Sequence, residues 1–334
     1  MKSKPFAIVL FVLICTAAAT LCLCVSLGSV AIPLGDTLRL LTGQPCANVA
    51  YASILLSVRL PRVLCVALTG ASLSLCGAAM QGLLRNPLAD GSTLGVSSGA
   101  SLGAVVALWL GLSFPALPFA GTMVMAMAFA FGTLALLLLL SYAADRRMGT
   151  TTILLMGVIF SMFATSLISL LTAFSGDKLR SITFWTMGSL SGAGYEDAAV
   201  LLGALLLFGT VLMRRSTELD AFALGEEEAR HVGVSVRRVR LMVMVCVSAI
   251  IGVCVSIGGA IGFVGLVVPH GVRLLTGPSH RRLLPASLLS GAIFLMLADL
   301  LSRTVVSPVE LPVGVVTSLV GSVVFVTLFF RRRK

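Results

Sequence analysis

Ten stretches of this chain are apolar over a length at or near that of a bilayer crossing, and this removes most folds otherwise open to 334 residues. They are Phe6–Ala31, Pro61–Leu84, Ser92–Gly111, Ala116–Ser141, Thr150–Phe174, Asp197–Met213, Val239–Ile257, Ile261–Leu275, Leu283–Ser302 and Pro312–Phe330. A helical crossing needs about 20 apolar residues. The eighth stretch has only 15, so its standing as a full crossing is open. With 58% hydrophobic and 11% charged residues and a mean hydropathy of +1.07, the composition lies far from that of soluble domains, which carry about 25% charge. The expected fold is all-α, a polytopic membrane protein of about ten transmembrane helices occupying 1–334 as one domain.

One segment interrupts this pattern. Ser72–Ala100 (SLSLCGAAMQGLLRNPLADGSTLGVSSGA) sets Arg85, Asn86, Pro87 and Asp90 between two apolar stretches. An Asn-Pro turn beside a cation is cheap in water and costly in hydrocarbon. The connection is therefore expected at a membrane surface or lining a protein cavity. Downstream, Gly95, Gly99 and Gly103 recur every four residues, a smooth ridge against which another helix can pack or move.

A net charge of +11 invites a nucleic-acid partner, but the cations argue against one. With the N-terminus in the cytosol and ten crossings, 18 of the 24 Lys and Arg fall on the cytosolic side; only Arg39, Arg59, Arg62, Lys178, Arg180 and Arg303 fall outside. That bias matches the positive-inside tendency and predicts cytosolic termini. Lys2 and Lys4 before an apolar run resemble a secretory signal, yet a run reaching Ala31 exceeds the usual 7–15-residue core and reads as a retained first span. Seven of the eight cysteines lie within expected spans and only Cys46 in an external loop, so no disulfide framework follows. His231, His270 and His280 lack metal-ligand spacing, and no metal site is expected.

The longest hydrophilic connections are Pro33–Arg59, Gly176–Asp197 and Arg214–Arg238. Glycine-rich blocks around Gly77–Gly103 and Gly252–Gly277 begin in oppositely oriented spans, which suggests an inverted repeat of spans two to five and seven to ten.

Several motifs then occur in a fixed order. Arg59-Leu-Pro-Arg62, Gly77-Ala-Ala-Met-Gln81-Gly, Arg85-Asn-Pro-Leu-Ala89 and Leu94-Gly-Val-Ser-Ser-Gly-Ala100 come first. Gly262-Phe-Val-Gly-Leu-Val-Val-Pro-His270, Arg273, His280-Arg-Arg-Leu-Leu-Pro285, Ala298-Asp299, Arg303 and Glu310-Leu-Pro-Val-Gly314 follow. From about Arg59 to Phe325 the chain resembles the FecCD-type permeases of binding-protein-dependent ABC importers for iron–siderophores, haem and cobalamin. It departs from them at Asp90-Gly91, where the family usually has a proline and this turn should be more flexible, and at Val323, where a helix-kinking proline is common.

The resemblance implies a type II importer fold like that of cobalamin importers, in a bacterial cytoplasmic (inner) membrane. It implies a second permease chain, identical or different. Two copies of a cytosolic ATP-binding subunit would use ATP and Mg, this chain binding no cofactor, and an extracytoplasmic substrate-binding protein would deliver the cargo. In the cytosolic connection 219–236, Leu224, Gly225, Glu226, Glu227, Arg230 and Gly233 are similar to a coupling helix docked on the ATPase, and Glu226–Arg230 has i,i+4 acid-before-base spacing. Arg59, Arg62 and Arg303 match arginines that meet acidic residues of the binding protein, a task suited to the planar guanidinium. Arg59 and Arg62 could equally anchor span ends, and Arg303 could pair with Asp299 four residues earlier, an acid that needs a partner or burial in a membrane. Met80, Gln81, Asn86, Pro87, Ser97, Ser98 and Trp185 are pathway or gate candidates by the same resemblance. Met80 could instead fill a helix interface, and Trp185 could mark a membrane interface.

An enzyme is not expected. No Gly-x-x-x-x-Gly-Lys-Ser/Thr occurs, and none of the four lysines sits in a glycine-rich loop. The competing class is an ion-coupled carrier acting alone, which would place titratable groups mid-membrane; only Asp299 approaches that description.

Overall fold

The computed structural model describes residues 6–28, 30, 32–46, 48–112, 120–146 and 149–331. Ala31 and Ala116, the expected limits of two spans, lie outside them, as do Lys2, Lys4, Arg147, Arg332, Arg333 and Lys334. The described residues form helices and connections without a strand.

Helices α1 (Phe6–Ser26), α2 (Leu34–Leu41) and α3 (Val49–Ser53) lead through a π-helical stretch, Ile54–Arg59, into α4 (Leu60–Leu83). A 3-10 turn, Gly91–Leu94, precedes α5 (Val96–Leu110), followed by α6 (Ala120–Ala144), α7 (Thr150–Ala173) and the short α8 (Leu179–Thr186). Helices α9 (Tyr195–Ala204) and α10 (Thr210–Arg214) form one run through a second π-helical stretch, Leu205–Gly209. Beyond it come α11 (Ser216–Leu224), α12 (Glu226–His231), α13 (Val236–Gly258), α14 (Val264–Thr276), α15 (His280–Thr304) and α16 (Val313–Arg331). Seven runs are long and apolar enough to cross a membrane, and three shorter apolar helices, Val96–Leu110, Val264–Thr276 and Val313–Thr327, complete the ten expected stretches.

The second stretch begins earlier than expected. The helix is continuous over Ala50–Leu83, 34 residues or about 50 Å, so it must tilt in or project from a hydrocarbon core of about 30 Å. Pro61 lacks an N–H and crowds the preceding turn, and the π-helical Ile54–Arg59 directly before it absorbs the change in register. The eighth stretch is the reverse case. Helix α14 has 13 residues, about 20 Å, too short to cross alone, and a non-helical link at 259–263 precedes it.

Helices α4 and α13 form the buried centre, while α1, α6, α7 and the α9–α10 run are mostly exposed, as lipid-facing helices would be. Helix α4 lies against α15, α14 and α13. Its closest approaches use glycine on both sides. A Cβ on Gly70 would overlap the carbonyl oxygen of Gly291, one on Gly291 would overlap that of Gly70, and one on Gly77 would overlap that of Gly265. In lipid, helices associate through such close backbone packing because water expulsion gives them no drive. The ridge on α5 packs likewise: Gly99 meets Thr133, Gly103 meets the Met125 carbonyl and Phe129 of α6, and Gly95 meets Gly157 and Phe160 of α7.

The links after α4 and α13 share a pattern. Each ends in a left-handed residue, Gly95 (φ 72°) or Phe263 (φ 68°), that opens a short helix, α5 or α14. Neither departure from the family loosens the fold. Thr93 donates its N–H to Asp90 Oδ1 at 3.2 Å and its hydroxyl to the Asp90 carbonyl at 2.6 Å, fixing the turn expected to be slack. With Val323 in place of proline, α16 runs unbroken.

Gly77→Val should wedge α4 from α14 and cost at least about 1–3 kcal/mol, the usual range for overpacking. We expect a thermal midpoint several degrees lower, or loss of a monodisperse peak in detergent. Gly132→Ala, where an added Cβ meets nothing, should leave the midpoint unchanged.

Candidate functional site

Where α4 begins and α15 ends, four charged side chains form one cluster, three of them buried. Arg62 Nη2 lies 2.9 Å and Nε 3.0 Å from Asp299 Oδ1, and Arg62 Nη1 lies 2.8 Å from Glu310 Oε2. Arg303 Nε reaches Asp299 Oδ2 at 2.9 Å, one turn along α15. Asp299 is 1% exposed, so its charge is held by two guanidinium groups rather than by water. Arg303 also donates to the carbonyls of Cys24 and Leu27, and Arg59 to those of Val25, Ser26 and Val30. Two cations thereby cap the last carbonyls of α1, where the helix dipole is negative.

The resemblance implies that Arg59, Arg62 and Arg303 meet a binding protein. Within this chain all three are buried, with donors turned inward to Asp299, Glu310 and the end of α1. Of the charged groups in this cluster only Glu310 is substantially exposed. It stood in a quoted motif without being chosen as a site residue.

The two links meet midway along the bundle around a cavity of about 200 Å³. Thr69 and Leu73 of α4, Asp90, Gly91 and Ser97 after it, Ile251 and Cys254 of α13, and residues 259–263 line it. The Ser72–Ala100 connection therefore dips to line a protein cavity, one of its two expected positions. Half-buried Ser97 belongs to the cavity; Ser98 is half-buried without lining it. Trp185 does not line it either, but its carbonyl packs against Gly259, and Ser189 N–H donates to the Gly258 carbonyl at 2.9 Å, so α8 braces the end of α13. Met80 is fully buried, filling a helix interface. Gln81 Nε2 donates to the α14 carbonyls of Leu266 at 3.1 Å and Gly265 at 3.4 Å, fastening two helices.

At the arginine-rich end, the turn after α4 and the α11–α12 elbow face one cavity of about 540 Å³. Gln81, Arg85, Pro87, Ala223, Arg273 and His280 are among its lining residues. Asn86 Oδ1 accepts the Leu88 N–H at 2.9 Å, an Asx turn that exposes Pro87 and Leu88. Arg85 holds φ 51°, a sparsely populated conformation for a residue with a Cβ. Its guanidinium and the Glu228 carboxylate both lie within 4 Å of the position a Gly225 Cβ would take. Gly225 itself has φ 142°, open only to glycine in practice, and this lets the chain reverse between α11 and α12.

The elbow is clamped to the bundle on both arms. On α11, Leu219 and Phe222 are buried, and Asp220 accepts from Ser279 Oγ at 2.9 Å, from the His280 N–H at 2.7 Å and from His280 Nδ1 at 2.6 Å, capping α15. On α12, Glu226 pairs with Arg240 of α13 and accepts from Thr150 Oγ1 of α7 at 3.4 Å. The expected Glu226–Arg230 pair does not form, because the longer-range partner is buried and Arg230 points to the exterior. Leu224 and Val232 are left 72% and 70% exposed, with Glu227, Arg230 and Gly233 also on the outside. Asp90, Arg240, Asp220 and Glu310 were not selected from sequence; Asp90 carried a signal as the one acid in the polar break, and Glu310 through its motif.

No cluster of His, Cys, Asp or Glu that could hold a metal ion occurs among the described residues, and all eight cysteines are free thiols. The site is thus a set of hinges, clamps and cavities within an all-helical membrane protein, the organisation of a permease.

The comparisons give the class its family. The model of the FecCD transport family matches residues 14–331, and the chain belongs to that family. It is 44% identical to the uncharacterized ABC transporter permease YvrB of Bacillus subtilis over 95% of this chain and 92% of that one. It is 38% identical to the cobalamin import permease BtuC of Halobacterium salinarum, covering 85% and 78%. Identity is also 38% to the hemin transport permease HmuU of Yersinia pestis, covering 86% of each. Among solved structures it resembles a metal-chelate type ABC transporter in an inward-facing conformation, with a TM-score of 0.86, 32% identity, and coverage of 96% and 98%. The chain is a permease of an ABC importer.

Asp299→Asn removes the charge that two buried arginines share. We expect a loss of about 3–5 kcal/mol, read as a large drop in thermal midpoint, whereas Glu310→Gln, at the exposed edge, should cost about 1 kcal/mol or less.

Proposed function

We propose that this permease carries a ferric siderophore or a related metal chelate into the cytosol by ATP-driven alternating access. It works as half of a permease dimer in the bacterial cytoplasmic (inner) membrane, with both termini cytosolic. An extracytoplasmic binding protein delivers the cargo at the Glu310 end. Two ATP-binding subunits, using ATP and Mg, act at the arginine-rich end. The observation that carries the reading is the α11–α12 elbow, clamped to α15, α13 and α7 while Leu224 and Val232 stand exposed on its outer side. Apolar side chains so displayed beside Glu227 and Arg230 suit a partner's groove, and movement there reaches the Asn86-Pro87 turn through a shared cavity.

Likeness to a metal-chelate type transporter supports the iron-chelate cargo. Haem and cobalamin are the alternatives, supported by the names of HmuU and BtuC. A carrier driven alone by an ion gradient would need a carboxylate free to take up a proton or cation, whereas Asp299 is paired with Arg62 and Arg303.

Reconstitution with the ATP-binding subunit and the binding protein should give uptake of one labelled cargo from a panel of ferric siderophores, haem and cobalamin, only with ATP. Uptake by the lone chain under an ion gradient would overturn the reading. Gly225→Pro, and the double reversal Glu227→Arg with Arg230→Glu, should each lower ATP-driven uptake at least tenfold while the subunits still hydrolyse ATP. Wild-type uptake with intact ATPase stimulation in both variants would refute the elbow's role.

A further inference from the structure

A third cavity, of about 790 Å³, lies where α6 ends and α13 begins, beside α12. Arg146, Arg230, Arg237, Arg238 and Arg240 line it, with Met242 among its apolar residues. No carboxylate lines it. Glu226 pairs with Arg240, and Asp145 directs Oδ2 to the Gly149 N–H at 2.9 Å, whereas no ion pair among the described residues engages Arg146, Arg230, Arg237 or Arg238. Four exposed cations thus share one concave surface.

The surroundings are those of a membrane boundary. Arg238, Met242 and Val245 follow one another along the outer face of α13, cation first and then apolar. On α6, exposed Leu139 leads to Tyr142, over whose ring the Arg237 guanidinium lies at 5.9 Å. An apolar face crowned by arginines complements a molecule with an anionic head and hydrocarbon tails.

We propose that this cavity binds an anionic glycerophospholipid, its phosphate among Arg146, Arg237 and Arg238 and its acyl chains on the α6–α13 face.

The test is native mass spectrometry of the full chain in neutral detergent, titrated with dioleoyl phosphatidylglycerol or dioleoyl phosphatidylcholine. A tight phosphatidylglycerol adduct should form at a concentration at least tenfold below that for phosphatidylcholine. Near-surface arginines contribute about fivefold each, so Arg237→Gln with Arg238→Gln should weaken it more than tenfold. Arg146→Gln alone, from the other wall, should weaken it severalfold, which covers a failure of the double variant to fold. Arg281→Gln with Arg282→Gln, exposed cations elsewhere at the same end, should change nothing. The proposal is overturned by equal binding of the two lipids, or by equal weakening in the Arg281/Arg282 pair, which would mean diffuse charge. Displacement by millimolar inorganic phosphate would make this a free-anion site and also overturn it. So would a cavity variant that keeps its lipid but loses the ATP-binding subunit.

Discussion

The Asp299 carboxylate, held between Arg62 and Arg303, is the interaction on which the arrangement of the central helices depends. Two cations and one anion in a buried place would be untenable if any member stood alone. Together they fix the start of α4 against the end of α15, and the remaining guanidinium donors of Arg303, with those of Arg59, fasten the end of α1 to the same point. That anchorage lets α4 and α15 approach until Gly70 and Gly291 meet backbone to backbone, and further along α4 Gly77 meets Gly265 of α14 in the same way. The centre of the bundle is rigid for reasons of charge at one end and of absent side chains along its length.

Rigidity there puts flexibility elsewhere. The interruptions of helix lie at the links after α4 and α13, which enclose the cavity midway along the bundle, and at the turn and elbow of the arginine-rich end. The turn with Arg85 at φ 51° and the elbow with Gly225 at φ 142° stand against each other, so the strained residue after α4 borders the one place where α11 and α12 reverse. The closely packed helices form the frame, and the breaks in helix are gathered around the mid-bundle cavity and at the arginine-rich end.

Much of this was legible in the sequence because membrane crossing leaves a local signal. The ten apolar helices fell on the expected stretches, and the polar break at Arg85–Asp90, expected at a membrane surface or lining a cavity, contributes Asp90 to one cavity and Arg85 and Pro87 to another. Partner choice across the fold was less legible. The Arg303–Asp299 pair, four residues apart, could be anticipated, but sequence position does not reveal that Asp299 and Glu310 return to meet Arg62 from 237 and 248 residues away. Glu226 had an attractive neighbour at Arg230, and the buried Arg240 won because its ion pair forms in a drier place. Met80 and Gln81 illustrate a further limit: a motif can mark a helix contact as readily as a pathway, and only the packing distinguishes them.

The central claim is that the elbow drives the turn after α4. The direct measurement is the distance between spin labels at exposed Leu88, in the turn, and exposed Leu139, on the outer face of α6, in the reconstituted complex with and without trapped ATP. The account predicts a change on ATP trapping in the wild type and none in Gly225→Pro. An unchanged distance in the wild type, or the same change in both, would contradict it.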